Sequence, residues 1–218
     1  MARNKHPEET VRRILDVSLK LFQEKGYDAT TIQDIVDALG MSKGAIYHHF
    51  KSKAEIMDLL SERYYRNLGW YPEPKGVPGE NGLEKLRYIF RYFLSGPYKE
   101  EIDGMMLALL RDPKMVSLSL DSVFREAAPY MRRLVQVAID DGSASPQFPD
   151  ALSEAFMLLT NVWMWAELYR SDREQYRQKF LFCKAMLEQF GLPILTDELV
   201  EVAMDYYDRL LKRRAETK

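Results

Sequence analysis

The chain has 218 residues, 46% of them hydrophobic and 29% charged, with a formal net charge of −2. That is the balance of a globular protein with a substantial core, and it excludes a disordered or collagen-like chain. The single cysteine, Cys183, excludes an intramolecular disulfide, and without a Cys/His cluster a structural zinc site is not expected. The N-terminus lacks the apolar core of a signal peptide, and the longest apolar run, residues 155–166, is too short to cross a bilayer, so a cytoplasmic location is expected. Charge is unevenly spread. Residues 1–53 hold nine Lys/Arg against seven Asp/Glu, and the remainder holds 22 against 26, a mildly basic segment on a more acidic body.

In chain order, Arg3 and Lys5 form a short basic arm, read as a solvated tail, with a minor-groove arm as the alternative. Pro7, Glu8 and Glu9 suit the first turn of a helix. Val11, Ile14, Leu15, Leu21 and Phe22 supply its apolar face, and Lys25-Gly26 ends it. Thr30 and Thr31 are both candidate N-caps of the next helix, and Thr31 has Asp34 three residues on. Ile32, Ile35, Val36 and Leu39 then repeat with helical spacing. Gly40 stands where this helix must stop, because a residue without Cβ enters the left-handed region cheaply. Ser42 caps a further helix over 43–49, with Ile46 and Phe50 facing inward. Helix, glycine-containing turn, helix is the helix-turn-helix pattern, whose second helix enters the DNA major groove.

The chemistry of that second helix fits. Its outward positions are Lys43, Gly44, Tyr47 and His48, with Lys51 and Lys53 just beyond, and no acid falls between Asp37 and Glu55 to repel a phosphate backbone. Gly44 allows close approach to bases or sugars. Ser52 and Glu55 form a capping box that places backbone N–H groups and Lys53 at an anion-binding helix start. A fourth helix, 52–68, uses Ile56, Leu59 and Leu60 on its apolar face before turning aromatic at Tyr64 and Tyr65. Half of residues 69–82 are glycine or proline, the clearest boundary in the chain. Beyond it, 3.6-residue periodicity predicts helices near 83–95, 100–111, 115–141, 150–170, 172–190 and 196–213. Pro129 is expected to kink or split the third of these. The expected fold class is all-α: an N-terminal three-helix domain over residues 1–53, a linking helix at about 52–68, and a larger helical domain over 54–218.

Residues 8–53 resemble the DNA-binding domain of the tetracycline-repressor (TetR) family of bacterial transcription regulators. The likeness lies in Phe22 with Gly26-Tyr27, Thr30-Thr31-Ile32, Gly40 followed by Ser42-Lys43-Gly44, and the run from Tyr47 to Lys53. Leu39 and Met41 depart from the family's usual alanine and valine but remain apolar. The resemblance implies that Lys43, Gly44, Tyr47 and His48 face the major groove. It gives Tyr47, Lys53 and Thr31 phosphate roles, and makes His49 and Phe50 packing residues.

The same resemblance implies double-stranded DNA carrying an inverted-repeat operator as partner, and a homodimer built from two C-terminal helices. Candidate interface residues are Leu158, Asn161, Val162 and Trp165 on the first, with Met157 on the same face, and Phe180, Cys183, Met186, Leu187 and Phe190 on the second. The helix near 196–213 is then expected as an addition on the rim or an extension of the interface. The larger domain is expected to hold a small-molecule effector, apolar or aromatic, against adaptable side chains: Phe90, Phe93, Met105, Met106, Met115, Met131, Met157, Trp163 and Tyr169. Any one of these residues is equally at home in an ordinary helical core. No catalytic set and no cofactor is expected. Adjacent His48 and His49 point about 100° apart on a helix, a poor metal pair. The expected function is a transcriptional regulator, a repressor released from DNA by its effector; the alternative is an all-α carrier or protein-interaction module without specific DNA binding.

Overall fold

The computed structural model describes residues 7–67, 74, 76–96, 113–164 and 171–216, and among these the regular structure is entirely helical. No helix among the described residues is long and apolar enough to cross a membrane. The predicted helix near 100–111 lies outside the described residues, as do Met105 and Met106. The described residues divide into two compact units, the first up to residue 67 and the second from residue 74.

The first unit contains α1 (Pro7–Lys25), α2 (Ile32–Leu39), α3 (Lys43–His49) and α4 (Lys53–Asn67). Its core is the set of inward residues with helical spacing: Ile14, Leu15 and Phe22 of α1, Ile35 and Val36 of α2, Ile46 of α3, Phe50 after it, and Ile56, Met57 and Leu60 of α4. Each of the larger side chains contributes roughly 1.5–3 kcal/mol on burial, which helices as short as α2 and α3 require because isolated helices of that length are marginal. α1 packs on both α2 and α4. An ion pair of 2.6 Å from Arg63 to Asp16 also joins α4 to α1.

The second unit contains α5 (Gly82–Ser95), α6 (Pro113–Ser122), α7 (Ala128–Asp140), α8 (Pro149–Leu158), α9 (Arg173–Gln189) and α10 (Asp197–Glu216). α7 packs against α5 and α8, and α10 packs against α9 and α5. The helix expected over 115–141 is split by a π-helical turn, Val123–Ala127. Pro129 explains the break: it has no N–H to give and its ring clashes with the preceding turn. The ladder shifts register instead, with the Ala128 N–H donating back to the Val123 carbonyl.

The helix expected over 150–170 is likewise interrupted by a π-helical turn, Leu159–Trp163. The Thr160 hydroxyl donates to the carbonyls of Phe156 at 2.9 Å and Met157 at 3.3 Å, and the Asn161 amide to that of Met157 at 2.9 Å. These side chains take carbonyls that the α-helical ladder would use.

The last helix corrects an expectation. α10 is no addition on the rim: Leu199, Val200, Ala203, Met204 and Tyr207 are buried in the unit's core. Next to it, the loop after α7 meets the end of α9, where the Ser145 N–H donates to the Gly191 carbonyl and the Gln147 N–H to that of Phe190, both at 3.1 Å. Gly191 has φ of +81°, and a Cβ there would sit 2.3 Å from the Ser145 oxygen.

Candidate nucleic-acid interface

The reading head is assembled by caps. Thr31 has extended geometry before α2, and the Asp34 N–H donates to its Oγ1 at 3.1 Å. The Asp34 carboxylate in turn accepts from the Thr31 N–H at 2.7 Å and from its hydroxyl at 2.6 Å. Lys25, at the end of α1, closes the group with Nζ 2.6 Å from Asp34 Oδ1. The lysine and these hydrogen bonds hold the Asp34 carboxyl well below the usual carboxylate range. Gly40 ends α2 with φ of +63°, and its N–H with that of Met41 satisfies the terminal carbonyls of Asp37 and Val36. Ser42 then opens α3, its Oγ accepting the Ala45 N–H at 3.2 Å.

This turn geometry buries Ile46 and Phe50 and leaves Ser42, Lys43, Gly44, Tyr47 and His48 exposed along α3 and its cap, with Thr31 exposed at the start of α2. Tyr47 is 46% exposed, high for so large a ring. The Lys43 ammonium lies 6.0 Å from its centroid, so cation and aromatic form one patch. Nothing lies within 4 Å of where a Gly44 Cβ would be. His49 is half-buried, its ring edge-on to that of His48 at 5.3 Å. Asp34, an acid in the first turn of the preceding helix, is already paired with Lys25.

Lys53, expected to face a phosphate, is engaged by backbone carbonyls in this structure. Its ammonium donates to the Tyr27 carbonyl, to that of Thr30 at 2.9 Å and to that of Asp28 at 3.3 Å, and lies 4.1 Å from the Tyr27 ring centroid. Spacing in the sequence carries no sign of these contacts, which join residues 23 to 26 apart. Thr31 also has its hydroxyl engaged, as the N-cap just described.

In the second unit, Phe90 is half-buried and lies 5.4 Å from Phe156 and 6.4 Å from Phe180, ring to ring. Phe180 continues to Tyr176 and Tyr207, each step 5.1 Å. Met131 is buried, while Phe93 and Met157 are half-buried. Tyr169, Trp165 and the side chain of Met115 lie outside the described residues. Trp163 does not point into a core: it is 37% exposed, edge-on to Phe182 at 5.7 Å, with the Lys179 ammonium 5.2 Å from its centroid.

The expected dimer residues also divide. Leu158, Asn161, Val162, Met186 and Phe190 are half-buried. Cys183 and Leu187 are 0% exposed in the single chain, so they correct the expectation: they belong to the unit's own core with Tyr176 and Phe180 and have no surface to offer a partner. The outward face of α9 carries Phe182, 55% exposed, beside Ala185. Sequence periodicity missed Phe182 because α9 is apolar on more than one side.

A family model for bacterial regulatory proteins, tetR family, matches residues 14–60. The chain is 43% identical over 167 residues to the HTH-type transcriptional repressor KstR2 of Rhodococcus jostii, covering 72% of this chain and 78% of that one. It is 41% identical over 105 residues to the HTH-type transcriptional regulator AcrR of Shigella flexneri, covering 47% of this chain and 48% of that one, about half its length. Among solved structures it shares a fold with SmeT, the repressor of a Stenotrophomonas maltophilia multidrug efflux pump, with a TM-score of 0.62 at 22% identity over 87% of this chain and 92% of that one. Cap-built reading head and relatives agree: the chain belongs to the tetR family of bacterial regulatory proteins and is a DNA-binding transcriptional regulator, not an enzyme.

Proposed function

We propose that the protein is a homodimeric repressor acting in the cytoplasm, whose two α3 helices read an inverted-repeat operator and leave it when a small apolar or aromatic molecule binds the second unit. The observation that carries the DNA reading is the exposed patch of Lys43, Gly44, Tyr47 and His48 held rigidly over the buried Ile46 and Phe50. In this reading Tyr47 and Lys43 meet phosphates and base edges, and Ser42 keeps a hydroxyl hydrogen to donate. Repression as the sign of regulation is supported by the name of the Rhodococcus relative.

The effector reading rests on half-buried Phe90, which lies against Phe156 and Phe180 of a buried aromatic run that continues to Tyr176 and Tyr207. The dimer reading rests on Phe182 and Trp163, a solvent-exposed aromatic pair on the two segments the resemblance assigns to the interface. Two reading heads must sit about 34–36 Å apart, one turn of DNA, or a multiple of it. An effector shifts that spacing only through its differential affinity for the two dimer geometries.

The test is selection of bound duplex from a random pool with purified protein, followed by affinity measurements across a salt series. Enrichment of an inverted repeat that Tyr47→Ala abolishes is the expected result. Lys43→Ala is expected to relax specificity and flatten the salt dependence by roughly 0.9 for each phosphate no longer neutralised. A folded dimer that enriches no sequence refutes the operator reading.

A further inference from the structure

We propose that Lys53 is a positioning residue for DNA reading, one whose ammonium ties the loop between α1 and α2 to the start of α4 and does not itself meet a phosphate. This rests on the DNA reading above. A lysine ammonium has three N–H donors and no acceptor. Here the carbonyls of Tyr27, Asp28 and Thr30 converge on it, and the Tyr27 ring covers one side. These carbonyls lie in the loop beyond α1, outside any helical ladder; that of Tyr27 also accepts the Thr30 N–H at 3.3 Å, and the one cation gathers all three.

The loop it gathers is the one that delivers Thr31 to α2. Thr30 is buried, its hydroxyl donating to the Gly26 carbonyl at 2.7 Å and the Leu21 carbonyl at 3.2 Å, and its N–H to the Gly26 carbonyl at 3.2 Å. Thr31 caps α2 immediately afterwards, and α3 packs on α2. The ammonium therefore acts at the root of the reading head, on the loop that delivers α2. To reach a phosphate it would have to abandon three carbonyls, whereas Lys43 and Lys51 are already exposed. Its charge should raise operator affinity by holding the head in register, with no share in counterion release.

The test uses the full chain and the selected operator duplex. Lysines are acetylated under limiting reagent, with and without DNA, and located by peptide mass spectrometry. The expected result is that Lys53 reacts slowly in both states, while Lys43 and Lys51 react readily alone and are protected by DNA. Lys53 reacting as fast as Lys43 in the free protein, with protection only on DNA, overturns the proposal. DNA protecting none of the three overturns the DNA reading, and this proposal with it.

Two variants add a second arm. Lys53→Arg keeps a cation able to grip phosphate but replaces the compact ammonium with a planar fork that cannot converge on three carbonyls. Lys53→Arg and Lys53→Met are both expected to weaken operator binding roughly tenfold or more, with the salt slope of the unmodified protein. Unaltered affinity in Lys53→Arg, together with a slope lowered by about 0.9 per protomer in Lys53→Met, refutes the positioning role.

Discussion

Replacing Gly44 with alanine should strengthen the fold and weaken DNA binding at once. Gly44 lies in the first turn of α3, two residues after the Ser42 cap, exposed, with nothing within 4 Å of the new methyl. Alanine is therefore better than glycine by at most roughly 0.5–1 kcal/mol of backbone entropy, the value for a helix interior. In a unit of this size that raises the melting temperature by roughly 2–8 °C. On DNA the same methyl stands between the helix and the bases or sugars. Overpacking a tight contact by one carbon costs roughly 1–3 kcal/mol, a loss of about five- to 150-fold in Kd. Differential scanning fluorimetry and fluorescence anisotropy with the selected operator, run on the same preparation, read both quantities. A raised melting temperature with unaltered Kd would show that DNA does not approach α3 over Gly44 and that the assigned face is wrong.

Further tests follow from other sites. Gly40→Ala and Gly191→Ala both force alanine to positive φ, but only Gly191 has a carbonyl oxygen 2.3 Å from the new Cβ. Gly40→Ala should cost about 1–2 kcal/mol and Gly191→Ala clearly more in urea unfolding; equal losses would contradict the close approach of the two loops. Because Lys25 and the cap bonds depress the Asp34 carboxyl, its folded pKa lies below its unfolded value. Its contribution is present above the unfolded pKa, near 4, and fades as pH falls through the folded value. Asp34→Asn should therefore flatten the acid limb of stability against pH, and an unchanged limb would count against the capping group. Phe182→Glu should shift sedimentation toward monomer and lower operator affinity while each chain stays helical by circular dichroism; an intact dimer places the interface elsewhere. Phe180→Ala, deep in the second unit, is expected to lose about 3–5 kcal/mol of stability by chemical denaturation.

The reading head was legible in the sequence because its signals are local. Thr31 and Asp34, Ser42 and Ala45, and Gly40 sit at offsets fixed by helix geometry, so their roles follow from spacing alone. The outward row of α3 follows from the inward placement of Ile46 and Phe50 by the same periodicity. Lys53 escaped because its partners lie across a tertiary contact. A lysine at a helix start looks the same whether it faces a phosphate or three carbonyls. The second unit was harder for a related reason. α9 places Phe180 inward and Phe182 outward only two positions apart, so hydrophobicity by itself does not select the face. The π-helical turn before Pro129 had a visible cause, whereas the one at Leu159–Trp163 depends on where the hydroxyl of Thr160 turns.

The burial of Cys183 gives the protein a practical property. It is the only cysteine in the chain, fully enclosed, and the apolar surroundings push its thiol up to about 12. Maleimides and disulfide reagents act on thiolate, so at neutral pH the native fold is silent to them without any cysteine having to be removed. A cysteine introduced on the exposed face of α3 or beside Phe182 would then be the single reactive thiol in each subunit. One dye at each such position turns the separation of reading heads, with and without a candidate effector, into a distance measured by energy transfer on an otherwise unaltered protein.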